Sequence, residues 1–176
     1  MNLKLTGDKV LAEIKKLRER MQEYQRMEHV FSPANPLYER WFGGPDEVEP
    51  LEAAYGHHQV FHGDEILADL AQWHEAVGVS LDPNSVGRSD HLAAELEFMA
   101  ILIAKEIKAC LKKNEARAAE FRKMQVEFFN RHLGQWAPVF AERFAKKFPE
   151  GCSAKLAERL RQFLEEESQG LSPCFA

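Results

Sequence analysis

Apolar residues between Asp8 and Phe31 recur at Val10, Ile14, Leu17, Met21, Tyr24 and Phe31. That three-and-four spacing lines one face of a helix, and Lys15, Lys16, Arg18, Glu19 and Arg20 fill the other. Ser32-Pro33-Ala34-Asn35-Pro36 ends it, since proline lacks an amide donor and turns its predecessor away from helical angles. A short aromatic segment follows, Leu37 to Phe42, and then an acidic loop opened by Gly43-Gly44-Pro45 and crossed by Pro50. A second helix is expected from about Asp64 to Val77, with Ile66, Leu67, Leu70, Trp73 and Val77 inward and Gly78 as its stop. Asp82-Pro83-Asn84 and Gly87 then mark another loop.

The strongest helical pattern runs from Ser89 or Asp90 to about Lys113. Leu92, Leu96, Met99, Ile103, Ile107 and Cys110 form its stripe, and Phe98, Ile101 and Leu102 widen it. A helix apolar around so much of its girth belongs at the centre of a bundle. Phe121, Phe128, Phe129, Leu133 and Trp136 predict a further helix from Glu115, broken near Gly134 or Pro138. Phe140, Phe144 and Phe148 then give a short aromatic helix that stops at Pro149. Ser153 is placed to cap a last helix, buried through Leu156, Leu160, Phe163 and Leu164 and ended by Gly170. No run of alternating apolar and polar residues and no repeat of solenoid length is found. The expected fold is all-α: a single-domain bundle of about six to eight helices over residues 1–176.

Composition agrees with a folded protein, at 176 residues with 45% hydrophobic and 29% charged residues. Residues Met1 to Val10 lack the continuous apolar stretch of a secretory signal, which predicts a cytoplasmic location. The richest apolar run, Phe98 to Ala104, falls far short of the roughly 20 residues that cross a bilayer. The formal net charge of -5 disfavours a nucleic-acid partner and suits a cationic peptide. Cys110, Cys152 and Cys174 lie apart with no CxxC pair, as reduced thiols do.

Candidate chemistry is sparse. His58 and His62, with His57 beside them, have the helical spacing of metal ligands, which sets up one alternative: a helical metal-binding protein or metal-dependent enzyme. The segment has no zinc-protease Glu and no third ligand of fixed position, so structural or solvent-exposed histidines are the plainer reading. There is no Gly-x-Ser-x-Gly, and Gly43-Gly44 does not continue into a phosphate-binding loop, so nothing specifies an enzyme or a cofactor. The stretch Ser89-Asp90-His91-Leu92-Ala93-Ala94-Glu95-Leu96-Glu97-Phe98-Met99 sets an acid and an imidazole at the mouth of the most apolar helix. Taken alone, Asp90 reads as a helix N-cap.

The same stretch resembles the signature of the TorD/DmsD/NarJ family, Pro-Asp-His-Leu followed by Glu-Leu-Glu-Phe-Met. Two more blocks agree in order. Upstream, Tyr38 to Pro45 and Pro50-Leu51-Glu52-Ala53-Ala54-Tyr55 are similar to the family's Leu-Phe-x-Gly-Pro and Pro-aromatic-Glu-Ser-x-Tyr. Downstream, Phe128 to Phe140 is similar to its Phe-x-x-x-His-Leu-x-x-Trp-x-Pro-x-Phe. Ser89, Leu51 and Ala53 depart from the pattern, standing for proline, an aromatic and serine.

The resemblance implies a system-specific chaperone that binds the twin-arginine signal peptide or N-terminus of a molybdopterin oxidoreductase catalytic subunit. Such a protein assists cofactor insertion, prevents premature export, and acts as a monomer or homodimer. Paired guanidinium groups beside an apolar stretch call for carboxylates beside an apolar groove. In that reading Asp90 and His91 form the polar end of the groove. Glu95 or Glu97 and the loop acids Asp46, Glu47, Glu49 and Glu52 attract arginines, and Trp41, Phe42, Leu51 and Tyr55 contact the apolar part. The plainer alternatives are core packing for Trp41 and Phe42, an exposed helix face for Glu95 and Glu97, and a structural role for His132 and Trp136.

Overall fold

Helix α4 (Leu92–Leu111) is the axis of the molecule, buried on most sides through residues from Leu92 to Ala109. The computed structural model describes residues 7–44, 48–55, 63–79 and 88–171. Six other α-helices are placed around it among the described residues: α1 (Gly7–Phe31), α2 (Tyr38–Phe42), α3 (Gly63–Ala76), α5 (Glu115–Arg131), α6 (Leu133–Lys147) and α7 (Gly151–Leu171). The all-α expectation holds, with no strand among these residues and only a single isolated antiparallel bridge, Leu51 to His91. Helix α1 packs along α4, α5 returns against it, and α6 and α7 pair beyond α5.

Local chemistry explains most boundaries. After α3, Gly78 adopts a positive φ of 68°. Val79 N–H then reaches His74 O at 2.9 Å and Gly78 N–H reaches Glu75 O at 2.9 Å, the paired bonds of a Schellman stop. Lys113 makes the same turn after α4 in a left-handed conformation, and Asn114 Oδ1 caps α5 by accepting from Arg117 N–H at 3.0 Å.

Four expectations are corrected. Helix α4 begins at Leu92 with His91, not Asp90, as its N-cap, because the Asp90 carboxylate is engaged elsewhere. The break between α5 and α6 falls at His132, while Pro138 lies inside α6 with its ring exposed. Gly134 permits that junction: a Cβ there would stand 2.7 Å from both the Phe129 carbonyl and its ring. Ser153 does not cap α7, which starts at Gly151; its hydroxyl accepts from Trp41 Nε1 at 3.1 Å. Gly170 sits within α7 rather than ending it.

Aromatic rings from α1, α2 and α6 close one end of the core. Phe140 lies in contact with Phe31, Phe42, Tyr55, Trp136 and Phe144. Further along the bundle a polar network joins α1, α4, α5 and α7. Arg122 donates twice to Glu106 (2.9 and 2.7 Å) and once to Glu13, Gln125 bridges Glu106 to Arg20, and Arg20 and Tyr24 both donate to Glu167.

Candidate functional site

Residues 48–55 cross the N-terminal end of α4 and are laced to it by backbone: Glu52 N–H donates to Asp90 O at 2.8 Å and Leu92 N–H to Pro50 O at 2.9 Å. This lacing brings the sequence-derived candidates Leu51, Glu52, Tyr55, Asp90, His91 and Glu95 into one cluster, with Trp41 and Phe42 in the adjoining aromatic core. Of the eight only Leu51 is partly exposed; the other seven are buried. Trp41 and Phe42 therefore take the core-packing alternative in this structure, and Glu95 is interior rather than on the exposed helix face where Glu97 lies.

Asp90 is 0% exposed. Its Oδ1 accepts from Arg88 Nε at 2.9 Å, and Oδ2 from Arg88 Nη2 at 3.0 Å and more loosely from Ala53 N–H at 3.4 Å. His91 Nδ1 accepts from Ala93 N–H at 3.1 Å, so the proton sits on Nε2, which donates to the Tyr38 hydroxyl at 2.9 Å. Burial pushes the His91 imidazole down to about 4, against the opposing pull of Asp90, and the ring is neutral at neutral pH.

Deeper in, the Glu95 carboxyl accepts from Trp136 Nε1 at 3.1 Å and shares a hydrogen bond with Glu52. Burial first and the Glu52 charge second hold Glu95 well above the ordinary carboxylate range, so it keeps its proton. Glu52 Oε2 lies 3.0 Å from His132 Nδ1; the other ring nitrogen is 2.9 Å from Asp69 Oδ2, off the hydrogen-bond line. Arg131 donates to Asp69 at 2.8 Å and completes the chain. Tyr55 lies against Trp136 and under the Arg143 guanidinium, and burial raises its phenol to about 12.

The retained proton on Glu95 has a pH signature. The folded protein binds a proton that the unfolded chain, ordinary at 4.5, releases. That contribution to stability is fully present below 4.5 and is lost as pH rises toward the elevated folded value. Glu95→Gln keeps an acceptor for Trp136 and supplies donors to Glu52, so the variant is expected to gain on the wild type as pH rises from about 5 to 8. The difference should grow by up to about 1.4 kcal/mol per pH unit in chemical denaturation. Parallel stability curves would show that Glu95 titrates normally.

The sequence alone reads His132 and Trp136 as structural and does not single out Arg88, Tyr38 or Asp69. His132 and Trp136 carried a readable signal in the Phe128–Phe140 block; Arg88 and Asp69 had none, because their partners are set by loop geometry and by helix pairing. His57, His58 and His62, the loop acids Asp46 and Glu47, and Cys174 lie outside the described residues. Among the described residues no group of three His, Cys, Asp or Glu side chains is placed to hold a metal ion. No helix among them is long and apolar enough to cross a membrane.

These features define a class: an all-α bundle whose central helix opens on a buried cluster of acids, imidazoles and an indole, crossed by a short extended segment. A family model described as the nitrate reductase delta subunit matches residues 8–142, and the chain belongs to that family, the TorD/DmsD/NarJ grouping indicated by its motifs. It is 37% identical over 81 residues to the selenate reductase assembly chaperone protein of Thauera selenatis, and equally to the chlorate reductase assembly chaperone protein of Ideonella dechloratans. Each of those alignments covers 46% of this chain and 40% of the relative. Identity to the chaperone protein TorD of Vibrio cholerae (strain ATCC 39315 / El Tor Inaba N16961) is 30% over 100 residues, 57% of this chain and 44% of that protein. The chain thus spans about two fifths of the length of the curated relatives it matches.

Proposed function

We propose that this protein is an assembly chaperone for a molybdopterin oxidoreductase. In this reading it binds the N-terminal leader of the catalytic subunit and holds it in the cytoplasm until the cofactor is in place. The observation that carries this is the family match over residues 8–142, which contains the whole polar cluster from Tyr38 to Trp136, together with the assembly-chaperone names of the relatives. Charge supports it, since a chain of net charge -5 attracts a cationic leader. The leader docks over the α4 end: Glu49 and Leu51 meet it at the rim, Asp90 receives a guanidinium, and His91, Glu52 and Glu95 hold the segment that presents them. Trp41, Phe42 and Tyr55 back this surface from within.

Titration of the purified protein with a synthetic leader carrying paired arginines and an apolar stretch is expected to give a Kd on the order of micromolar or tighter. Asp90→Asn, with its fold checked by circular dichroism, should weaken that binding at least about tenfold, the loss of one charge-assisted bidentate pair. Absence of binding at about 100 µM leader would overturn the chaperone reading, and unchanged affinity in Asp90→Asn would remove Asp90 from it.

A further inference from the structure

We propose that Arg88 is a tethered stand-in for the leader's own arginine, held on Asp90 in the empty protein and exchanged for a client guanidinium on binding. This rests on the reading of the site as a leader receptor and adds how the site is kept closed.

Asp90 has no exposed surface of its own, yet its guanidinium partner is open to water: the Arg88 side chain is 50% exposed. The buried Asp90 carboxylate is thus held between the Ala53 amide and the Arg88 guanidinium, and the guanidinium is what meets water. Both carboxylate oxygens are taken side-on, the geometry an incoming arginine needs. Arg88 lies beside the start of α3, where its Nη2 is 3.9 Å from the position a Cβ on Gly63 would occupy. Two further acids, Glu49 and Asp64, both exposed, add their field at the same guanidinium. Three carboxylates thus act on one arginine, an excess of negative charge that suits the arrival of a second guanidinium.

The exchange is also mechanically simple. Arg88 precedes α4, whose first turn is capped by His91, and its side chain leaves Asp90 without disturbing that cap. Swapping one guanidinium for another preserves the buried ion pair, which a lysine, a point charge without the fork, does not reproduce. A tethered competitor acts at an effective concentration on the order of millimolar, so it weakens every ligand for Asp90 and selects for leaders that bring more than one contact.

Two measurements test this. With 15N-labelled protein and unlabelled leader, the Arg88 Nε–H resonance should move at saturation to the position of a free, solvated arginine; a resonance that stays in place while leader binds overturns the exchange. In parallel, Arg88→Gln and Arg88→Ala are titrated with leaders bearing Arg-Arg or Gln-Gln. The expected result is roughly tenfold tighter binding of the Arg-Arg leader by either folded variant, with no gain for Gln-Gln. Unchanged or weaker Arg-Arg binding in the variants, with wild type still binding, sinks the exchange and leaves the receptor reading intact. If neither wild type nor variants bind a leader, the receptor reading has failed and takes the exchange with it.

Discussion

Replacing Phe140 with alanine is expected to destabilise the protein by about 3–5 kcal/mol, the range for removing a fully buried aromatic ring. The ring is 0% exposed and touches Phe31 on α1, Phe42 on α2, Tyr55 beside the polar cluster, and Trp136 and Phe144 on its own helix. Five aromatic neighbours cannot all move inward, so the cavity persists and the packing loss adds to the transfer loss. A domain of this size loses roughly 2–4 °C in Tm for each kcal/mol, which predicts a fall of about 6–20 °C by scanning calorimetry. A fall below about 3 °C would mean that the surrounding rings close over the gap.

The second large effect is expected at Arg122→Met. The Glu106 carboxylate is 1% exposed, and besides Gln125 its hydrogen bonds come from two donors of Arg122. Methionine keeps the apolar stem but leaves the charge without its cation, which costs about 3 kcal/mol or more. Arg122 itself is half exposed, so the size of the loss reports how far water reaches Glu106 in the variant. The double replacement Arg122→Met with Glu106→Gln should recover most of the loss, because the isolated buried charge is gone. Additive losses in that cycle of denaturation measurements would show that the pair contributes no coupling.

The helical framework was legible wherever apolar spacing and punctuation agreed. Ile14, Leu17, Tyr24 and Phe31 are buried as the α1 stripe requires, α1 stops before Pro33, and Gly78 closes α3. Pro138 does not end α6, which runs through it with the proline on an exposed face, while His132 turns the chain without any marker in residue type. Inside α4, Glu95 and Glu106 look like residues of a solvated face, although Glu95 sits three positions after Leu92 on the buried stripe. Their partners lie on α5 and α6, and helix-to-helix pairing across such separations is not written in local spacing. The motif blocks therefore point to residues that the fold brings to one end of the bundle, but the environment of each side chain there depends on burial that only the fold reveals.

The lacing of residues 48–55 to α4 and of Glu52 to His132 has a consequence during synthesis. Glu52 and His132 are 80 positions apart in the chain. At translation rates of roughly 5–20 residues per second, Glu52 waits about 4–16 s on the ribosome before its imidazole exists. For about the first half of that interval, until α4 begins at Leu92, α1 is also without the helix that covers its apolar stripe. The nascent protein thus exposes an oily helix and unpaired acids of its own until these later elements pack against them.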